Sequence, residues 1–167
     1  MTKTILFVCT GNTCRSAMAE GMFKKILKER TEDYSKFNII SAGISALPGM
    51  SPTSEAILVM FEQGIDISQH HTQALQEELI KKADLILVMA NEHKEYIHKE
   101  FSFAQNKTFL LKKFTLNNKS ESNQNNERNY EIIDPIGRKI DFYRIVAREL
   151  KENLKKILYK ILEENNK

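Results

Sequence analysis

Cys9 and Arg15, with five residues between them, are the side chains of this sequence whose types and spacing could do chemistry together. The stretch reads Cys9-Thr10-Gly11-Asn12-Thr13-Cys14-Arg15-Ser16. A loop of that length can curl so that several backbone N–H groups point inward. With a helix N-terminus aimed into it, such a nest attracts a tetrahedral oxyanion. Arg15 can fork onto two oxygens of that anion and stays charged at any ordinary pH. The same positive field favours the thiolate form of Cys9, which is the form that attacks. Gly11 permits close backbone approach, Asn12 tolerates a left-handed conformation, and Ser16 could donate its hydroxyl to the thiolate. These parts suit thiolate attack on phosphorus.

A strand and a helix must hold the loop. Thr4-Ile5-Leu6-Phe7-Val8 is a short apolar, β-branched run, expected to be a buried strand. After the loop, Ala17, Met22, Phe23, Ile26 and Leu27 recur at helical spacing through about residue 29. Val8 through Ser16 resembles the signature loop of the low-molecular-weight protein tyrosine phosphatases: an apolar strand, cysteine, five residues, arginine and serine. The wording Thr-Gly-Asn-Thr-Cys-Arg-Ser most resembles the bacterial protein-arginine phosphatases within that family. A bare C-x5-R carries little. The strand, Gly11-Asn12, Cys14 and Ser16 around it make the signal specific.

The rest of the chain reads as alternating strands and helices. Phe37–Ser41 is a second strand, closed by Ala42-Gly43, and Pro48-Gly49 lies in the loop of residues 44–50. Ser51 is expected to cap a helix with Pro52 at its first position, Ala56 to Phe61 on its apolar face and Gly64 as its stop. A polar stretch with His70 and His71 precedes a helix around Gln76–Lys82. Asp84–Met89 is the most apolar interior strand, Asn91–Glu100 a helix and Thr108–Leu111 a fourth strand. From Asn117 to Asn129 the composition turns to Asn, Ser, Gln, Glu and Lys, which predicts a flexible polar loop. From Asp141 onward, apolar residues recur as one long amphipathic helix. Alternation of this kind implies right-handed crossovers and a mainly parallel α/β sheet, with the loop at the carboxyl end of its first strand. The resemblance, which spans essentially the whole chain, implies four strands in the order 2-1-3-4, helices on both faces and three layers.

With 167 residues, one domain over 1–167 is expected, large enough for a sizeable core. A net charge of +3 is too slight to argue for nucleic acid or an anionic membrane, and the lysines are scattered among glutamates. No signal-peptide pattern and no apolar run of membrane-spanning length occurs. Two cysteines provide no disulfide framework, so a reducing cytoplasm is expected. Oligomeric state is left open. C-x4-C supplies two ligands and the four histidines show no ligand spacing, so no metal is expected. Neither nucleotide-binding glycine fingerprint is present, and no organic cofactor is expected.

Cys9 alone is a buried strand-end cysteine, and Arg15 alone an ion-pair residue; together with the loop they become nucleophile and anion clamp. Cys14 is either a packed thiol or a redox partner of Cys9. Asp134-Pro135 by itself is a turn. The resemblance implies that Asp134 is the general acid, because the family carries an Asp-Pro before its last helix. It further implies that His70 buttresses the loop through Asn12, and that Thr10, Gly11, Asn12, Thr13, Cys14 and Ser16 contact the phosphate. Ile136 stands where the family often has an aromatic wall, and Gly137-Arg138 replaces a more usual Gly-Gly. Tyr143 matches a family tyrosine or serves only to pack the last helix. Thr13 replaces the aliphatic residue of the tyrosine-specific branch and matches the arginine-specific branch. The implied activity is metal-independent hydrolysis of phosphorylated proteins or peptides, phosphoarginine first and phosphotyrosine second. Arsenate reductases share the fold and the loop and remain an alternative, although the absence of any cysteine after Cys14 counts against a self-contained reductase that relays oxidation through further cysteines. A phosphopeptide-binding module would need neither Cys9 nor Asp134.

Overall fold

A computed structural model describes residues 2–116 and 127–165. Four strands, β1 (Lys3–Cys9), β2 (Phe37–Gly43), β3 (Leu85–Val88) and β4 (Thr108–Leu110), form one parallel sheet in the order β2-β1-β3-β4. The connecting helices are α1 (Arg15–Arg30), α2 (Ser54–Glu62), α3 (Glu77–Lys82), α4 (Asn91–Glu100), α5 (Leu111–Phe114) and α6 (Ile140–Asn165). Both faces of the sheet are covered, as a parallel sheet requires. Ile5 and Phe7 of β1 and Leu87 of β3 pack beneath α1, α2 and α6. Their neighbours Leu6, Val8, Ile86 and Val88 point the other way, against Ile80 of α3 and Ile97 of α4. The period-two alternation of strand side chains thus divides one apolar run between two cores. Among the described residues no helix is long and apolar enough to cross a membrane.

The cap expected at Ser51-Pro52 moves two residues along. Thr53 is the N-cap of α2: its hydroxyl accepts from the Ala56 N–H at 3.3 Å. The Thr53 N–H also donates to the Thr13 carbonyl at 3.0 Å, so the cap is chosen by a contact with the reactive loop. At the other end of α2, Gly64 takes φ of +69°, the conformation that stops a helix at low steric cost. Short 3₁₀ turns over Glu32–Lys36 and Ser102–Lys107, absent from the periodicity, precede β2 and β4. Most of the polar tract over 117–129 lies outside the described residues; its end joins a 3₁₀ turn over Glu127–Tyr130.

Gly43, at the end of β2, is fixed by close approach. A Cβ there would lie 2.5 Å from the Thr10 carbonyl oxygen and 2.9 Å from the Asn12 nitrogen, both backbone atoms. At Gly11 a Cβ would meet only Thr13 Oγ1, at 3.5 Å. The tightest backbone approach to the loop is thus at Gly43, in the neighbouring strand. Gly43→Ala is expected to destabilise the fold by about 1–3 kcal/mol through forced overpacking. An unchanged urea midpoint for this variant would contradict the contact.

Candidate active site

The loop after β1 keeps its shape because the structure around it takes its carbonyl groups. The N–H groups of Ile44, Ser45 and Thr53 donate to the carbonyls of Cys9, Thr10 and Thr13 at 3.0, 2.9 and 3.0 Å. His70 Nε2 lies 3.1 Å from the Asn12 carbonyl. With the carbonyls drawn outward, the amides are left for the interior of the turn. Those of Gly11, Thr13 and Cys14 have no acceptor among the described residues, and α1 begins at Arg15. Backbone N–H groups converging at a helix start form an anion nest. Asn12 makes the turn possible with φ of +59°, a left-handed conformation that its short polar side chain tolerates.

Cys9 Sγ sits 2.9 Å from Ser16 Oγ and accepts from the Asn12 N–H at 3.3 Å. The direction of the first bond follows from its neighbours. Asn12 Nδ2 donates to Ser16 Oγ at 2.8 Å and to Ser41 Oγ at 2.9 Å. Ser16 Oγ is thereby an acceptor on one side, and its own hydrogen is available to the sulfur. Ser41 passes its hydrogen to Glu20 Oε2, and Asn12 Oδ1 accepts from the Gln73 N–H at 3.0 Å. His70 Nδ1 lies 3.8 Å from the same Glu20 oxygen. Asn12, Ser16 and Ser41 are fully buried, so the donors aimed at Cys9 are fixed in a low-dielectric setting where they act strongly.

Arg15 lies 3% exposed. Its Nη1 donates to the Ile132 carbonyl at 3.0 Å, and its Nη2 to Asp134 Oδ2 at 2.8 Å and to Thr10 Oγ1 at 3.4 Å. Asp134 is joined to Arg15 across most of the chain, although its side chain is 40% exposed. Its Oδ1 accepts from the Ile136 N–H at 3.1 Å, a local turn bond that orients the carboxylate. Asp134 thus combines access to solvent with contact to the arginine of the loop.

Cys14 has hydroxyl neighbours of its own. Its sulfur lies 3.5 Å from Thr53 Oγ1, 3.6 Å from Tyr143 Oη and 3.7 Å from Thr13 Oγ1. Cys9 and Cys14 are both free thiols. Burial drives the Tyr143 hydroxyl up to about 12, so it stays protonated. Ile136 is exposed, and Arg138 stacks on Phe142 with its guanidinium carbon 4.4 Å from the ring centroid.

His93, Glu20 and Gln73 carry no role legible in the sequence, and Ser41 and Gly43 only that of a strand end. Ser41 and Gly43 stand in the Ser-Ala-Gly that closes β2, and Glu20 lies one helical turn after Ser16; those spacings were the available signals. His93 has none, since it lies 83 residues from its partner in the loop. Its ring is fully buried, Nε2 lies 2.9 Å from Thr10 Oγ1, and Nδ1 accepts from the Ala90 N–H at 3.0 Å. Burial, and then the charge of Arg15, lower its pKa to about 3.

The family model for low molecular weight phosphotyrosine protein phosphatases matches residues 4–167. The chain belongs to the low molecular weight phosphotyrosine protein phosphatase family. Within it, a protein-arginine-phosphatase of Bacillus subtilis is 37% identical over 153 residues, covering 92% of this chain and 93% of the relative. A low molecular weight protein-tyrosine-phosphatase of Acinetobacter johnsonii is 45% identical over 109 residues, 65% of this chain and 72% of the relative. Among solved structures, a mutant of the arginine phosphatase YwlE with a phosphorylated active-site serine superposes with a TM-score of 0.85. It is 34% identical, and the match covers 98% of each chain. This phosphatase shares with those relatives the sheet order and the loop after the first strand.

Proposed function

We propose that this phosphatase hydrolyses phosphorylated protein side chains through a phosphocysteine intermediate and prefers phosphoarginine. The observation that carries the reading is the setting of Cys9 Sγ, which receives two fixed donors in a loop whose Gly11, Thr13 and Cys14 amides have no acceptor among the described residues. In the first step the Cys9 thiolate attacks phosphorus in line. The S–P bond forms as the P–N or P–O bond to the protein side chain breaks. Arg15 and the loop amides hold the equatorial oxygens, where charge is spread in the transition state. Asp134 gives its proton to the departing nitrogen or oxygen. In the second step Asp134 takes a proton from water, water oxygen attacks phosphorus, and the S–P bond breaks to return the thiolate. The phosphorylated active-site serine of the YwlE mutant supports a covalent intermediate at the corresponding point of the cycle.

The substrate preference rests on Thr13 and on the arginine-phosphatase relative. Thr13 is partly exposed within the loop, and its hydroxyl can accept an N–H of a guanidinium. Thr13→Ile removes that acceptor and supplies methyl groups that pack on a phenol. An unpaired buried donor costs about 1–3 kcal/mol, so kcat/KM for a phosphoarginine peptide should fall by roughly 5- to 150-fold. For a phosphotyrosine peptide it should hold or rise. The test is a side-by-side rate comparison on the two peptides. Equal changes on both would remove Thr13 as the selector, and a wild type that prefers phosphotyrosine would overturn the arginine reading.

A further inference from the structure

We propose that His93, outside the reactive loop, is a positioning residue that sets the anion clamp through Thr10. The proposal rests on the phosphatase reading of the site. His93 stands in the first turn of α4, on the β3 side of the sheet, and its ring reaches the residue that follows Cys9. Its proton is assigned by its neighbours. Ala90 N–H donates to Nδ1 at 3.0 Å, so Nδ1 carries no hydrogen and the proton of the neutral ring is on Nε2. Nε2–H therefore donates to Thr10 Oγ1 at 2.9 Å, with the exposed Glu92 carboxylate 3.4 Å away as the other oxygen near it. Thr10 Oγ1 also faces Arg15 Nη2 at 3.4 Å, and that nitrogen holds Asp134 at 2.8 Å. One hydroxyl thus joins a fixed imidazole to the guanidinium that is to bind phosphate and to the carboxylate that is to give the proton. The neutral ring is needed, since a proton on Nδ1 would face the Ala90 N–H and add charge near Arg15.

The two ring nitrogens can be replaced separately. Asn at this position keeps an acceptor for Ala90 but is too short to reach Thr10. Gln can extend its amide N–H toward Thr10 and gives up the acceptor at Ala90. His93→Asn is expected to weaken inorganic phosphate binding, measured by calorimetry, by about tenfold, the loss of one hydrogen bond of roughly average strength. KM for an activated aryl phosphate should rise by the same factor with kcat within about threefold, because Arg15 holds the anion in ground and transition states alike. His93→Gln should restore most of the affinity. In a Thr10→Val background, His93→Asn should have no further effect. Wild-type phosphate affinity in His93→Asn, failure of the Gln variant to rescue, or additive losses in the double variant would each overturn the proposal. Where the His93 variants fail to fold, Thr10→Val alone must show the tenfold loss, and wild-type affinity there overturns it. A wild type that binds phosphate but hydrolyses no phosphoprotein overturns the phosphatase reading, and the calorimetric comparison still judges His93.

Discussion

Cys9→Ser is expected to abolish steady-state hydrolysis, by roughly 10⁴-fold or more, while inorganic phosphate still binds. The substitution leaves the nest untouched. Arg15 keeps its contacts with Ile132, Asp134 and Thr10, and the loop carbonyls stay tied to Ile44, Ser45 and Thr53. What is lost is the nucleophile. A serine hydroxyl is not ionised near neutrality, and the donors from Ser16 and Asn12 that steady a thiolate cannot make it so. Two measurements decide the matter: turnover of an activated aryl phosphate and calorimetry with phosphate. Sustained turnover by a homogeneous Cys9→Ser preparation would remove Cys9 from the nucleophile role. Loss of phosphate binding along with turnover would show that the sulfur shapes the nest as well.

Asp134→Asn should act unevenly across substrates. For a phosphoprotein, whose leaving group is basic, the first step should slow by about 10²–10⁴-fold, the usual contribution of a positioned proton donor. For an activated aryl phosphate the loss should be far smaller, since that leaving group departs without a proton. The contact between Asp134 and Arg15 sharpens the expectation. Asparagine keeps an oxygen for Arg15 Nη2, so the arginine can hold its place and phosphate affinity should change little. Equal losses on both substrate types would mean that Asp134 supports Arg15 and transfers no proton.

Gly43 and the cap of α2 show where reading the chain as a string falls short. Gly43 reads locally as the end of an apolar strand, with no sign that another backbone needs its missing side chain. Yet the backbone that passes closest to the loop belongs to β2, and the missing side chain is at Gly43. Ser51-Pro52 has the composition of a helix start, and Thr53 takes the role because it alone also reaches the Thr13 carbonyl. In both cases a distant segment decided what the local string left open.

The sequence by itself determined the strand–loop–helix unit around Cys9 and the alternation that builds a parallel sheet. Both are local: an apolar run of strand length, a turn and a helical period lie within one short stretch, and their spacing is visible in the string. Through the family's motifs it also pointed to Asp134 and His70. Tertiary structure alone decided how those parts meet. Crossovers bring residues 41, 73, 93 and 134 to the same end of the sheet as the loop. The bonds that result join positions separated by up to 119 residues, and no periodicity records them. His93 is the clearest case. Within its own helix it is one histidine among charged residues, and its role at the loop exists only because β1 and β3 lie side by side, which carries α4 to the residue after Cys9.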